Sequence, residues 1–157
     1  MSRIAAAAIL ASAALTLSAC AQTASPRSAS TVRTHPGVVL TGTLDAKAEV
    51  PGPGEANGTG EFTGFLDVPA GMLCYNIGLG SLTNVTMMHV HKGEPGVAGP
   101  PVIPLGMPRG MHGEGCVAAD KTLLSDIIAH PGSYYVNVHT AAHPSGAIRS
   151  QLQRPTR

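Results

Sequence analysis

Short runs in which apolar and polar residues alternate, each ended by a glycine- or proline-containing turn, recur between residues 38 and 152. A period of two marks a strand with one buried face, because successive side chains leave the backbone on opposite sides. Residues 38–45 set Val38, Leu40, Gly42 and Leu44 against Val39, Thr41, Thr43 and Asp45. Residues 61–68 point Phe62, Gly64, Leu66 and Val68 inward, and residues 72–79 point Leu73, Tyr75, Ile77 and Leu79 the same way. The link Pro69-Ala70-Gly71 makes those two runs a β-hairpin. Pro51-Gly52-Pro53-Gly54 and Asn57-Gly58 break the chain earlier.

Further strands are expected at 84–91, 102–105, 116–119, 134–139 and 147–152, with loops at 92–101 and 106–115. Asp120 reads as the N-cap of one short helix with the stripe Leu123, Leu124, Ile127 and Ile128, ended by His130-Pro131-Gly132. The expected fold is all-β: a Greek-key β-sandwich of about seven or eight antiparallel strands with one short helix.

The N-terminal segment stands apart from this pattern. Arg3 precedes an alanine-rich apolar stretch, residues 4–17, that is short for a bilayer span. Leu17-Ser18-Ala19-Cys20 looks like a bacterial lipobox, which implies cleavage before Cys20 and its diacylation; an ordinary signal cleaved near Ala19 or Ala21 is the other reading. The chain thus divides into a lipoprotein signal peptide at 1–19, a flexible tether at 20–35, one domain at 36–153 and a tail at 154–157. The tether lacks a periodic apolar face, and its mean reach is roughly 20 Å. The expected location is a bacterial membrane, reached through lipidated Cys20; in a host with two membranes Ala21, where aspartate would signal inner-membrane retention, favours the periplasmic face of the outer membrane.

Ten Lys/Arg stand against nine Asp/Glu, and no basic run occurs, which argues against nucleic acid as a partner. Tryptophan is absent and the chain has two Phe and three Tyr, so stacking platforms for sugars or bases are scarce. Beyond Cys20 only Cys74 and Cys116 remain. In an oxidising compartment they are most simply one disulfide; thiolate metal ligation is the competing reading, without a close Cys-x-x-Cys partner to support it.

Four segments carry a family resemblance: Ala48-Glu49-Val50-Pro51, Leu73-Cys74-Tyr75-Asn76-Ile77, His89-Val90-His91-Lys92-Gly93 with Gly99-Pro100-Pro101-Val102, and Tyr135-Val136-Asn137-Val138-His139-Thr140 with Pro144-Ser145-Gly146-Ala147-Ile148-Arg149. Together they resemble the CHRD (chordin-like) domain, in the form found in bacterial lipoproteins, over residues 40–152. Ala147 and Ser150 depart from the acidic residue and the glycine usual there. The resemblance implies an all-β domain and no established catalytic activity. The His-Val-His strand and cysteine pair also look superficially like copper/zinc superoxide dismutase, but residues 92–101 hold no histidine or aspartate for its zinc loop.

Clustered histidines are the constellation that can carry chemistry. His89 and His91 lie on one face of a strand, about 7 Å apart, and can share an ion. His139 ends a later strand on a face with Tyr135 and Asn137, and His143 follows in the turn. If those strands are neighbours, the four residues offer a site for copper or zinc; Met87, one pleat from His89, favours copper. The competing view is that His139 and His143 only tie their turn. His112 sits in a methionine-flanked loop, and His35 and His130 read as incidental. Glu49 and Arg149 are a candidate fork-like ion pair joining first and last strands, or two solvated charges. The expected role is a non-catalytic, lipid-anchored binding module taking a transition metal, copper first, or an extracytoplasmic protein.

Overall fold

The computed structural model describes residues 37–156. The leader, the tether, Cys20 and His35 lie outside the described residues.

Eight strands form: β1 (Val38–Asp45), β2 (Thr59–Asp67), β3 (Met72–Gly80), β4 (Val85–Lys92), β5 (Pro101–Leu105), β6 (His112–Ala118), β7 (Tyr134–Thr140) and β8 (Ile148–Gln151). One helix, α1 (Lys121–Ala129), precedes β7. The all-β expectation holds, and every pairing is antiparallel. Hydrogen bonding runs through one sheet in the order β5-β4-β7-β8-β1-β2-β3-β6. The sheet curls until its edges nearly meet: the Tyr75 hydroxyl on β3 accepts from Gly106 N, just past β5, at 2.7 Å. Right-handed strand twist lets a sheet of this size fold over on its own apolar face.

The inward residues are those that the alternation predicts. Leu40 and Leu44 from β1, Phe62 and Leu66 from β2, and Leu73 and Ile77 from β3 are buried together with Met88, Val90, Val136, Val138 and Ile148. Asp120 caps α1, accepting from Leu123 N at 3.0 Å, and the helix lays Leu124 and Ile127 on the core. β6 begins at His112, where a loop was expected. His-Gly-Glu-Gly has no apolar period; its strand geometry comes from pairing with β3, Gly78 opposite His112 through Met72 opposite Ala118.

Cys74 and Cys116 face each other in that pairing and are bonded. The bridge joins residues 42 apart in sequence. In the chain-entropy picture it contributes about 4 kcal/mol. Replacing both cysteines by serine is expected to lower Tm by about 15 °C in calorimetry.

β7 is buried along its whole length, on both faces. The core covers one face; on the other, Tyr135 meets the Gly99 backbone from the loop after β4, Asn137 meets the Glu49 side chain and His139 meets the Pro144 carbonyl. That second, polar face carries the candidate site.

Candidate metal centre

β4 and β7 are hydrogen-bonded neighbours, with Met87 opposite His139, His89 opposite Asn137 and His91 opposite Tyr135. Opposed residues share a face, so all six side chains rise from the outer side of the sheet. β8 adds Arg149 beside Asn137 and Gln151 beside Tyr135.

His89, His91 and His139 converge. One ring nitrogen of each lies within 4.8 Å of the other two. Ring centroids are 5.5 Å apart for His89 and His91, 5.4 Å for His89 and His139, and 5.8 Å for His91 and His139. A three-nitrogen site at about 2.0 Å from the metal needs nitrogens about 3.5 Å apart. The rings must draw together by about 1 Å, which small side-chain rotations supply.

The tautomers of His91 and His139 are already set for ligation. His91 Nδ1 donates to the Gly99 carbonyl at 2.9 Å, and His139 Nδ1 donates to the Pro144 carbonyl at 3.1 Å. A carbonyl only accepts, so each ring keeps its proton on Nδ1 and a lone pair on Nε2. Carbonyl support of this kind is the usual outer shell of a metal-ligating histidine. The nitrogens left buried without a partner are His89 Nδ1, His91 Nε2 and His139 Nε2. Unpaired buried polar atoms are costly, and three on neighbouring rings favour a common partner.

Burial lowers the pKa of all three rings. For His89 the His139 charge lowers it further; for His91 and His139 the carbonyl bonds oppose the shift without cancelling it. Neutral imidazoles are what a metal requires.

Beside the histidines, Asn137 Nδ2 donates to Glu49 Oε2 at 3.2 Å. Burial raises the Glu49 pKa to about 7, against the pull of Asn137 and Arg149. Gly146, at φ +143°, lets the carboxylate in: a Cβ there would come within 2.3 Å of Glu49 Oε2.

The expected fork between Glu49 and Arg149 is not formed. Arg149, almost fully buried, gives its hydrogens to Val97 O at 2.8 Å, Glu94 O at 2.9 Å and Gln151 Oε1 at 2.8 Å. Its guanidinium carbon lies 3.4 Å from the centroid of the Tyr135 ring. The guanidinium thus straps the loop after β4 across the sheet, because loop carbonyls reach its fork first. That strap holds Gly99 over His91.

His143 stays outside the cluster and ties the turn through its main chain, accepting from Gly146 N at 3.1 Å and donating to Thr140 O at 3.2 Å. His112 sits away on β6, near Asn76. His130 is less isolated than its sequence suggested: its Nδ1 lies 3.0 Å from Asp126, one helical turn back. The missed contributors are the Gly99 and Pro144 carbonyls. Main-chain groups leave no residue-type signal, although Gly99 has a steric one: a Cβ would meet Lys92 O at 1.7 Å.

No curated protein and no solved structure matches the chain. The CHRD domain model matches residues 40–152, from β1 through the residue after β8 and so across every residue of the cluster. With that span of the chain accounted for, the protein belongs to the CHRD domain family.

Proposed function

We propose that this CHRD domain is a non-catalytic binding module that holds one transition-metal ion, copper before zinc, through His89, His91 and His139. The observation that carries the reading is the convergence of three imidazoles, one nitrogen of each within 4.8 Å of the other two, on rings that each also keep a buried nitrogen without a partner. Two carbonyls supply the orientation, and burial keeps the rings neutral. The lipobox-like Leu17-Ser18-Ala19-Cys20 supports an exported, lipid-anchored protein at the periplasmic face of the outer membrane. A rival role, pairing with a protein through a free sheet edge, is disfavoured at β5, where Pro101 and Pro104 blunt the edge.

The test is metal uptake by the mature protein, measured by elemental analysis and competition titration. One equivalent of bound copper or zinc is expected, and none would end the reading. Its pH dependence follows from the lowered imidazole pKa values. Protons compete only below the ordinary 6.5, so affinity is flat above about pH 6.5 and falls as pH drops through the folded-state values.

The same shifts set the stability of the metal-free protein. The histidine contribution is fully present above 6.5 and is lost as pH falls through the folded values. Glu49 runs the other way: its contribution is full below 4.5 and is lost as pH rises through about 7. Glu49→Gln is expected to flatten the alkaline side of the profile in denaturant titrations between about pH 5 and 8.

A further inference from the structure

We propose that the ion held is monovalent copper, with the Met87 thioether completing the coordination of His89, His91 and His139. This rests on the metal-site reading above and adds a fourth ligand and an oxidation state to it.

Met87 stands directly opposite His139 across the β4–β7 pairing and one pleat from His89, on the face that carries the cluster. Opposed Cβ atoms are about 5 Å apart. A methionine side chain, with its rotatable bonds, spans that gap easily. Its exposure is the second observation. Met87 is 44% exposed, whereas its chain neighbour Met88 is buried in the core. An apolar side chain left at the rim of a polar cluster gains little from packing, and the thioether is what remains for it to offer.

Donor chemistry selects the ion. Three neutral imidazoles and a thioether form a soft, uncharged set that favours Cu(I) over Zn(II) and Cu(II). Among the described residues no carboxylate belongs to the three-histidine group; Glu49, beside it, accepts from Asn137 at Oε2 and keeps Oε1 without a partner. Arg149 in the same layer carries a permanent positive charge, whereas Glu49, with its pKa raised to about 7, is only partly ionised at neutral pH. β7 places Tyr135 between β4 and β8; its ring stacks on His91 at 4.8 Å and on the Arg149 guanidinium at 3.4 Å. A divalent ion among neutral ligands beside a buried cation carries more uncompensated charge than a monovalent one.

Met87→Leu conserves volume at an exposed position, so the fold is expected to survive. In anaerobic competition with bicinchoninate, the mature variant should bind Cu(I) about tenfold or more weakly than the wild type. Its affinities for Zn(II) and Cu(II) should stay within about twofold of wild type. Unchanged Cu(I) affinity, or an equal loss for Zn(II), overturns the proposal while leaving a histidine site standing. If the wild type takes up no metal, or if His89→Ala with His91→Ala leaves uptake intact, the underlying reading fails as well.

Discussion

Replacing His89, His91 and His139 together by alanine should abolish metal binding, and His89→Leu alone should weaken it more than about 100-fold. Losing an outer-shell support typically costs 10–100-fold, and a ligand carries more. The sharper result lies in the metal-free protein. His89 Nδ1 is buried without a partner, and neither carbonyl that holds the other rings is bonded to it. An unpaired buried polar atom costs about 1–3 kcal/mol, so leucine at this position should leave the metal-free Tm unchanged or raise it. A histidine kept for packing would show the opposite sign. Wild-type protein at a free metal concentration of about 100 times Kd gains about 2.7 kcal/mol, roughly a 10 °C rise in Tm. The His89→Leu protein should show no such rise. Differential scanning calorimetry with and without metal reads both effects. A metal-free Tm that falls by several degrees would make His89 a structural residue.

Arg149→Met should destabilise the domain by about 3 kcal/mol and weaken metal binding by about 10–100-fold. Both effects have one origin. The guanidinium ties Glu94 O and Val97 O to the sheet and packs on Tyr135. Methionine fills much of the volume but leaves those carbonyls without their donors. Gly99 lies just beyond Val97, and its carbonyl holds the His91 proton on Nδ1. Its backbone is also clasped to the Tyr135 hydroxyl, with Gly99 N donating at 3.0 Å. Once the strap loosens, His91 is free to change tautomer and ring angle, and its Nε2 lone pair is no longer aimed. Denaturant titration measures the first effect and metal competition the second. A loss of stability with unchanged affinity would show that the loop covers the site without orienting it.

Much of this was legible in the chain. The alternation at 61–68 and 72–79 marks a hairpin, and Phe62, Leu66, Leu73 and Ile77 do enter the core. The helix stripe and its Asp120 cap are equally local. A disulfide is the simplest expectation for a lone cysteine pair if the chain is exported, and Cys74 and Cys116 are joined. β6 was harder: at 112–115 glycine and polar residues carry no periodic signal, and only pairing with β3 makes them a strand. Neither an ion pair with Glu49 nor a solvated charge describes Arg149, because a buried guanidinium can be satisfied by any acceptors within reach; here they are backbone oxygens of the loop after β4 and the Gln151 side chain.

The side of the strand on which His89 and His91 stand follows from a period of two, and no tertiary information is needed for it. That β4 lies beside β7, bringing His139 into reach, was decided by the fold, because strand neighbours distant in sequence are chosen by the packing of the whole sheet. The tertiary structure alone also chose the carbonyls of Gly99 and Pro144 as proton holders and left His143 in the turn. Those choices depend on main-chain atoms meeting across the chain, and main-chain atoms are the same for every residue type.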